Sequence, residues 1–214
     1  VNPSTLFGRL LDDGADALTV RASDGDVWSM PMGRWLAPAT EVDERVLDRA
    51  VGPVLDVGCG PGRHVHALSR RGVVALGIEL SPTAVRHARN GGAEVVEGSI
   101  FEVAPDPGCW STALLLDGNI GIGGQPRQLL RRVAELLGDD GCILVELDPE
   151  PGDRAPEDDA PIRVRIESDG STSAWFPWAR VTAGAIDAPA EAAGLRVTER
   201  WSDGGRHFCT LSRA

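Results

Sequence analysis

The chain lacks most of the features that direct a protein to a membrane, out of the cell or onto a nucleic acid. Its four cysteines, Cys59, Cys109, Cys142 and Cys209, show no CxxC spacing, and the first stands inside a glycine turn. Neither a metal site nor a disulfide framework is expected from them. Positive charge is scarce: 21 Lys and Arg face 32 Asp and Glu, a net charge of −11, which argues against a protein that grips DNA or RNA through its phosphates. There is no run of 18 apolar residues and no charged-then-apolar leader, so neither a membrane span nor secretion by the usual signal is expected. Internal repeats are absent, as is any shift of composition that would divide the chain. With 26 glycines and 15 prolines in 214 residues, Gly plus Pro stays below the roughly 25–30% of low-complexity chains. What remains is a globular cytoplasmic protein with reduced cysteines, long enough to bury a sizeable core. Its oligomeric state is left open.

What is present is organised around VLDVGCGPGRH, residues Val54 to His64. Val54, Leu55 and Val57, interrupted only by Asp56, have the pattern of a central strand covered on both faces. The strand stops at Gly58. Glycines at 58, 60 and 62 allow a turn whose backbone approaches a ligand closely, because no Cβ intervenes and positive φ carries little penalty. Pro61 suits a first helical turn, and RHVHALSRRG then reads as a helix with Val65 and Leu68 inward and Gly72 just past its end. Strand, glycine turn and helix make a nucleotide site, and spacing narrows the nucleotide. A dinucleotide fingerprint needs a small residue three positions after its second glycine, where this chain has Arg63. Glu79 ends the next hydrophobic stretch, Val73 to Ile78, 21 residues after Gly58. A carboxylate there can accept from both hydroxyls of a ribose.

A GxGxG turn followed by an acidic end to the second strand resembles the class I S-adenosylmethionine-dependent methyltransferases, over roughly residues 40 to 214. The resemblance implies an α/β fold: a three-layer Rossmann-like sandwich around a mostly parallel seven-stranded sheet whose last strand is antiparallel. It implies S-adenosyl-L-methionine as cofactor. Asp56 would act on the methionine amino group through water or backbone, Gly58, Gly60 and Gly62 would admit the methionine end, Glu79 would bind the ribose, and Ser99 with Ile100 would flank adenine. Ser99 stands where the family often has an acidic residue, so backbone groups at Ser99 and Ile100, a hydroxyl or Glu97 are all open for the adenine contact. Asp117 ends the fourth strand and would lie between cofactor and acceptor; with Asn119 it is the leading catalytic candidate. Methyl transfer asks mainly for an acceptor held in line and water excluded. Where the acceptor must lose a proton, Asp117 is the first candidate base, ahead of His64, His66, His87 and His207. The residues after Asp117 lack the Asn/Asp-Pro-Pro-aromatic form of enzymes that methylate exocyclic amino nitrogen, which leaves a small-molecule acceptor as the expectation.

The rest of the chain is read around that core. Residues 1–50 form an N-terminal lid or extension: an amphipathic piece at Leu6, Phe7, Leu10 and Leu11, two strands, Leu18 to Arg21 and Val27 to Met30, joined at Asp24-Gly25, and a helix capped by Thr40. Residues 51–214 form the core. Ser81-Pro82 opens its second helix, Ala93 to Glu97 is a third strand, Trp110 to Leu116 a fourth, LLRRVAELL a helix ended by Gly138 to Gly141, and Cys142 to Leu147 a fifth strand. The acidic, proline-rich connector after it is expected to be solvated and mobile. A hairpin inserted at about 162–179 turns at Ser168-Asp169-Gly170, and the last two strands, Leu195 to Trp201 and His207 to Leu211, close the sheet. Trp28 and Trp35 in the lid, and Trp175 and Trp178 in the hairpin, either line an acceptor pocket or fill a core. Two other readings of the whole remain: a nicotinamide-dependent oxidoreductase with DGNIGIGG as a second phosphate loop, and a non-catalytic S-adenosylmethionine-binding module.

Overall fold

The Asn2 side chain accepts from the Ser4 backbone N–H at 2.9 Å and Pro3 occupies the first turn, so a helix begins at once, α1 (Pro3–Asp12). This computed structural model describes residues 1–149, 162–168 and 170–214. β1 (Ala17–Ala22) and β2 (Val27–Pro31) pair antiparallel across the Asp24-Gly25 turn, and α2 (Met32–Leu36) buries Met32 beneath them. Thr40 caps α3 (Glu41–Leu47) in a box closed by Asp43.

The main sheet follows in alternation with helices: β3 (Val54–Val57), α4 (Arg63–Arg70), β4 (Ala75–Glu79), α5 (Pro82–Asn90), β5 (Val95–Glu97), β6 (Trp110–Leu115), a 3-10 turn (Asn119–Gly124), α6 (Pro126–Ala134) and β7 (Leu137–Leu147). Beyond the insertion β8 (Ile162–Ser168), β9 (Ser171–Thr172) and β10 (Phe176–Trp178), the chain returns through α7 (Asp187–Ala192) to β11 (Leu195–Asp203) and β12 (Arg206–Arg213). The seven strands lie in the order β11-β12-β7-β6-β3-β4-β5. Only β12 runs against its neighbours; β3, β4, β5, β6 and β7 pair parallel. Strand order therefore reverses beside β3, and the crevice at the carboxyl ends of β3 and β6 is where such a sheet takes ligands. All four residues of β3 are buried, as a strand covered on both faces requires.

Sequence treats the lid and the inserted hairpin as separate additions, and the structure joins them. β1 pairs antiparallel with β8, Thr19 opposite Glu167 and Ala22 opposite Val164, giving a second sheet in the order β10-β8-β1-β2 with β9 on β8. Leu18, Val20, Val164 and Ile166 of this sheet pack with Leu6, Leu10 and Leu11 of α1 in a core of their own. The result is a roof over the carboxyl edge of the main sheet.

Two boundaries differ from the sequence reading. Pro61 precedes α4, because Gly62 takes the cap position in a left-handed conformation, φ +87°. Gly138 to Gly141 continue β7 instead of ending a helix, since Trp110 pairs with Leu137 before the register shifts at Thr112. Of the acidic connector at 149–161, all but Pro149 falls outside the described residues.

Candidate active site

The glycine turn is held from below by β4 and from the side by the loop after β6. The Gly58 and Cys59 N–H groups donate to the Ile78 carbonyl at 2.8 and 3.1 Å. Asn119 Nδ2 donates to the carbonyls of Val57 and Gly58 at 2.8 and 3.0 Å. Gly58 has φ +74°, and a Cβ there would lie 2.8 Å from Asn119 Nδ2, so the clamp and the left-handed turn both require glycine. Glu79 faces this turn from the end of β4: one carboxylate oxygen accepts from Gly60 N–H at 3.0 Å, the other from Ser81 N–H at 2.7 Å. Burial raises its carboxyl above the ordinary value, with those N–H groups pulling back. Each oxygen keeps a second lone pair for a hydroxyl donor. Gly58, Gly60, Glu79, Ser99, Ile100 and Phe101 line one side of a cavity of about 760 Å³, within the ~300–1,000 Å³ of ligand clefts.

Behind the turn lies a buried ionic cluster that the sequence reading missed. Asp43 is fully buried and receives Arg63 at 2.6 Å and Arg206 at 2.7 Å, besides both Thr40 donors. Arg63 reaches both oxygens of Asp117 with its other nitrogen, at 2.8 and 2.6 Å. Arg206 binds both oxygens of Glu146, which also accepts the Asp117 N–H at 2.7 Å. Arg34 stands 3.2 Å from Asp117 and 3.6 Å from Asp43, and buried His64 lies 3.7 Å from Asp43 and 3.5 Å from Asp56. Burial opposes a charge on His64, but the two carboxylates outweigh it and hold the imidazole at about 9. With His64 protonated, Arg34, Arg63, His64 and Arg206 balance Asp43, Asp56, Asp117 and Glu146, which is how a buried cluster avoids an unpaired charge.

The expected site residues divide accordingly. Gly58, Gly60, Glu79, Ser99, Ile100, Asp117 and Asn119 all line the cavity. Asp56 does not: its carboxylate is buried against His64, because the inward face of β3 points it behind the turn. Gly62 is also off the wall, its α-carbon packed where a Cβ would come within 3.1 Å of Ala88 and Ala93. Asp117 reaches the cavity as a member of the arginine cluster. Burial favours its neutral form, yet His64, Arg63 and Arg34 hold its carboxyl below the usual range, which makes it a weak proton acceptor. Both Asn119 amide donors named above serve the glycine turn. No histidine lines the cavity; His66 bonds the Ala88 carbonyl and His87 pairs with Asp12.

The opposite wall is the roof. Trp28, Trp35 and Trp178 line it together with Phe7 and Phe176, Phe7 meeting Trp35 edge-on at 5.5 Å and Phe176 meeting Trp178 at 6.2 Å. Trp175 does not; its ring is exposed beneath the Arg165 guanidinium, since β10 alternates and turns it outward. Asp148 and Arg180, which composition did not single out, complete the wall.

A seven-stranded sheet with one reversed strand, and a glycine turn facing a second-strand carboxylate at the point where strand order reverses, define the class I, Rossmann-like methyltransferases, whose cofactor is S-adenosylmethionine. The chain is of that class: residues 54–141 match the family model described as Methyltransferase domain. Among solved structures, a SAM-dependent methyltransferase from Bacteroides fragilis in complex with S-adenosyl-L-homocysteine shares the fold with a TM-score of 0.81 at 24% identity, covering 100% of this chain and 95% of that one. Among curated proteins, the trans-aconitate 2-methyltransferase of Paracidovorax citrulli is 31% identical over 114 residues, 51% of this chain and 44% of its own. An ATP synthase lysine N-methyltransferase of Rattus norvegicus is 31% identical over 104 residues, 47% of each chain. The chain thus matches just under half the length of these curated relatives.

Proposed function

We propose that this chain transfers the methyl group of S-adenosylmethionine to a small-molecule acceptor by direct in-line displacement. The observation that carries the reading is a single cavity with the glycine turn and Glu79 at one end and the aromatic roof at the other. When bound, the cofactor supplies a methyl group already made electrophilic by its sulfonium. The residues of the chain bind, orient and exclude water. Glu79 would hold the ribose, Gly58 and Gly60 the methionine end, and Ser99, Ile100 and Phe101 the adenine. Asp117 and Asn119 would keep the loop beneath the reacting centre in place.

Charge supports the same cofactor. Glu79, Asp117, Glu146 and Asp148 outnumber Arg34, Arg63 and Arg180 on the cavity wall, an excess of one negative charge that suits a cofactor of net charge +1 and opposes a diphosphate. Arg63, where a dinucleotide site needs a small residue, is committed to Asp43 and Asp117, which speaks against a nicotinamide cofactor. The roof over the acceptor end favours a small molecule over a polypeptide. The four cysteines are free, in keeping with a cytoplasmic location, and no helix among the described residues is long and apolar enough to cross a membrane.

Incubating the protein with methyl-labelled S-adenosylmethionine and a cell extract separated by size tests this directly. Protein-dependent label is expected in the small-molecule fraction. Label confined to protein or nucleic acid would contradict the acceptor class.

A further inference from the structure

Six of the ten Phe and Trp side chains of the sequence line this one cavity: Phe7, Trp28, Trp35, Phe101, Phe176 and Trp178. Five of them belong to the lid and the inserted hairpin, away from the glycine turn. Such a wall fits a flat, largely apolar ring. The sequence has no tyrosine, and none of its four histidines lines the cavity, so a proton leaving the acceptor must go to a carboxylate.

Four carboxylates reach the cavity among the described residues, and three are committed. Glu79 holds the Gly60 and Ser81 N–H groups at the cofactor end, Asp117 holds Arg63 through both oxygens, and Glu146 holds Arg206 through both. Asp148 differs. One of its oxygens accepts from Val181 N–H at 2.9 Å, and the other is 3.5 Å from the Arg180 Nε. It stands just past the end of β7, next to β6, where Leu115 faces Val145, so the ends of the two strands bring Asp117 and Asp148 to one edge of the sheet. We propose that Asp148 is the catalytic base and that the acceptor is a phenol-like aromatic alcohol seated between the roof aromatics. The inference rests on the methyltransferase reading above.

As the acceptor oxygen bonds to the methyl carbon, its proton passes to the free oxygen of Asp148. The sulfur–methyl electron pair returns to sulfur, and the neutral Asp148 later releases the proton to water. Arg180 and Arg34, both on the wall, favour the negative charge that develops on that oxygen and disfavour an ammonium acceptor. Burial pushes the Asp148 carboxyl up, with adjacent Glu146 adding to this, while Val181 N–H and Arg180 pull it back. Asp26 faces Arg180 at 3.5 Å from the far side. A base with its value raised toward the working pH is the better proton acceptor.

The test is Asp148→Asn, which keeps an acceptor for Val181 N–H. Titration with S-adenosylhomocysteine comes first: wild type and variant are expected to bind it alike, and failure of both would overturn the underlying methyltransferase reading instead. Rates are then measured with 4-methoxyphenol and with 4-nitrophenol at a pH where the latter is ionised in water. The variant is expected to lose about 10²–10⁴-fold with the former and much less with the latter, which needs no base. In the S-adenosylhomocysteine complex, bound 4-nitrophenol is expected to show more phenolate absorbance with the variant than with wild type, because an amide N–H replaces the carboxylate. Equal losses with both phenols, or no change in absorbance, would overturn the base assignment. Transfer to 4-methoxyaniline but to neither phenol would overturn the acceptor class.

Discussion

Arg63 decides what the glycine turn can hold. At the position where a dinucleotide site needs a small residue, it instead reaches Asp43 with one nitrogen and both oxygens of Asp117 with the other. Its side chain is 3% exposed, so removing a partner leaves a buried guanidinium undercompensated. Asp117→Asn is expected to cost about 3 kcal/mol, at the low end for breaking a buried pair because Asp43 remains. Urea denaturation of the two proteins measures this, and equal midpoints would mean the pair is not what holds the loop. His64 adds a pH dependence. Its value is raised above that of the unfolded chain, so its stabilisation is complete below about pH 6.5 and is lost as pH rises through about 9. Asp43 is held far below the ordinary carboxylate range despite its burial, so its own contribution fails only in acid, below about pH 4. Denaturation midpoints are therefore expected to fall between pH 6.5 and 9, by roughly 3 kcal/mol at most, and the fall should vanish in His64→Gln. A flat wild-type profile would show that His64 is neutral in the fold.

The loop after β6 ties the two sheets to each other. Asp117 adopts φ +56° and Gly118 φ +83°, a sharp reversal that asparagine, aspartate and glycine tolerate best. Asn119 then clamps the glycine turn, and the Gly121 carbonyl accepts from Ala179 N–H at 3.0 Å, just beyond β10. A Cβ on Gly121 would strike the Ala179 carbonyl and the Trp178 ring. Gly121→Ala is expected to displace β10 and cost about 1–3 kcal/mol, with Trp178 fluorescence shifted toward that of a wetter ring. An unchanged spectrum and midpoint would mean that the roof does not depend on this contact. The glycine-rich composition of this stretch was plain in the sequence, and its place at the carboxyl end of a strand pointed to a ligand. Its second use, as the seat of the roof, was not legible, because Gly121 and Ala179 are distant in the chain and carry no pattern that marks them as partners.

Taken whole, the molecule is a parallel sheet that presents a cofactor crevice and an antiparallel sheet that covers it. The first was legible nearly residue by residue, since a buried strand, a glycine turn and an acidic strand end are local patterns whose spacing has a direct physical meaning. The second was legible only in pieces. Alternation marked β1, β2 and the inserted hairpin, but the pairing of Arg21 with Arg165 in register depends on surfaces brought together by folding. The ionic cluster was hidden for the same reason: Asp43 reads as a capping-box residue, Arg63 as the start of a helix and Arg206 as a turn neighbour, and only the fold makes them one site. Trp175 shows the limit of composition, since one step along β10 separates a lining Phe176 from an exposed ring. The central claim is that the glycine turn and Glu79 form an S-adenosylmethionine site. The most direct measurement is isothermal titration of wild type and Glu79→Ala with S-adenosylhomocysteine and, separately, with NAD. The account predicts saturable binding of S-adenosylhomocysteine that weakens by about 1–3 kcal/mol in the variant, and no binding of NAD. Binding of NAD without S-adenosylhomocysteine, or equal affinity in the two proteins, would contradict it.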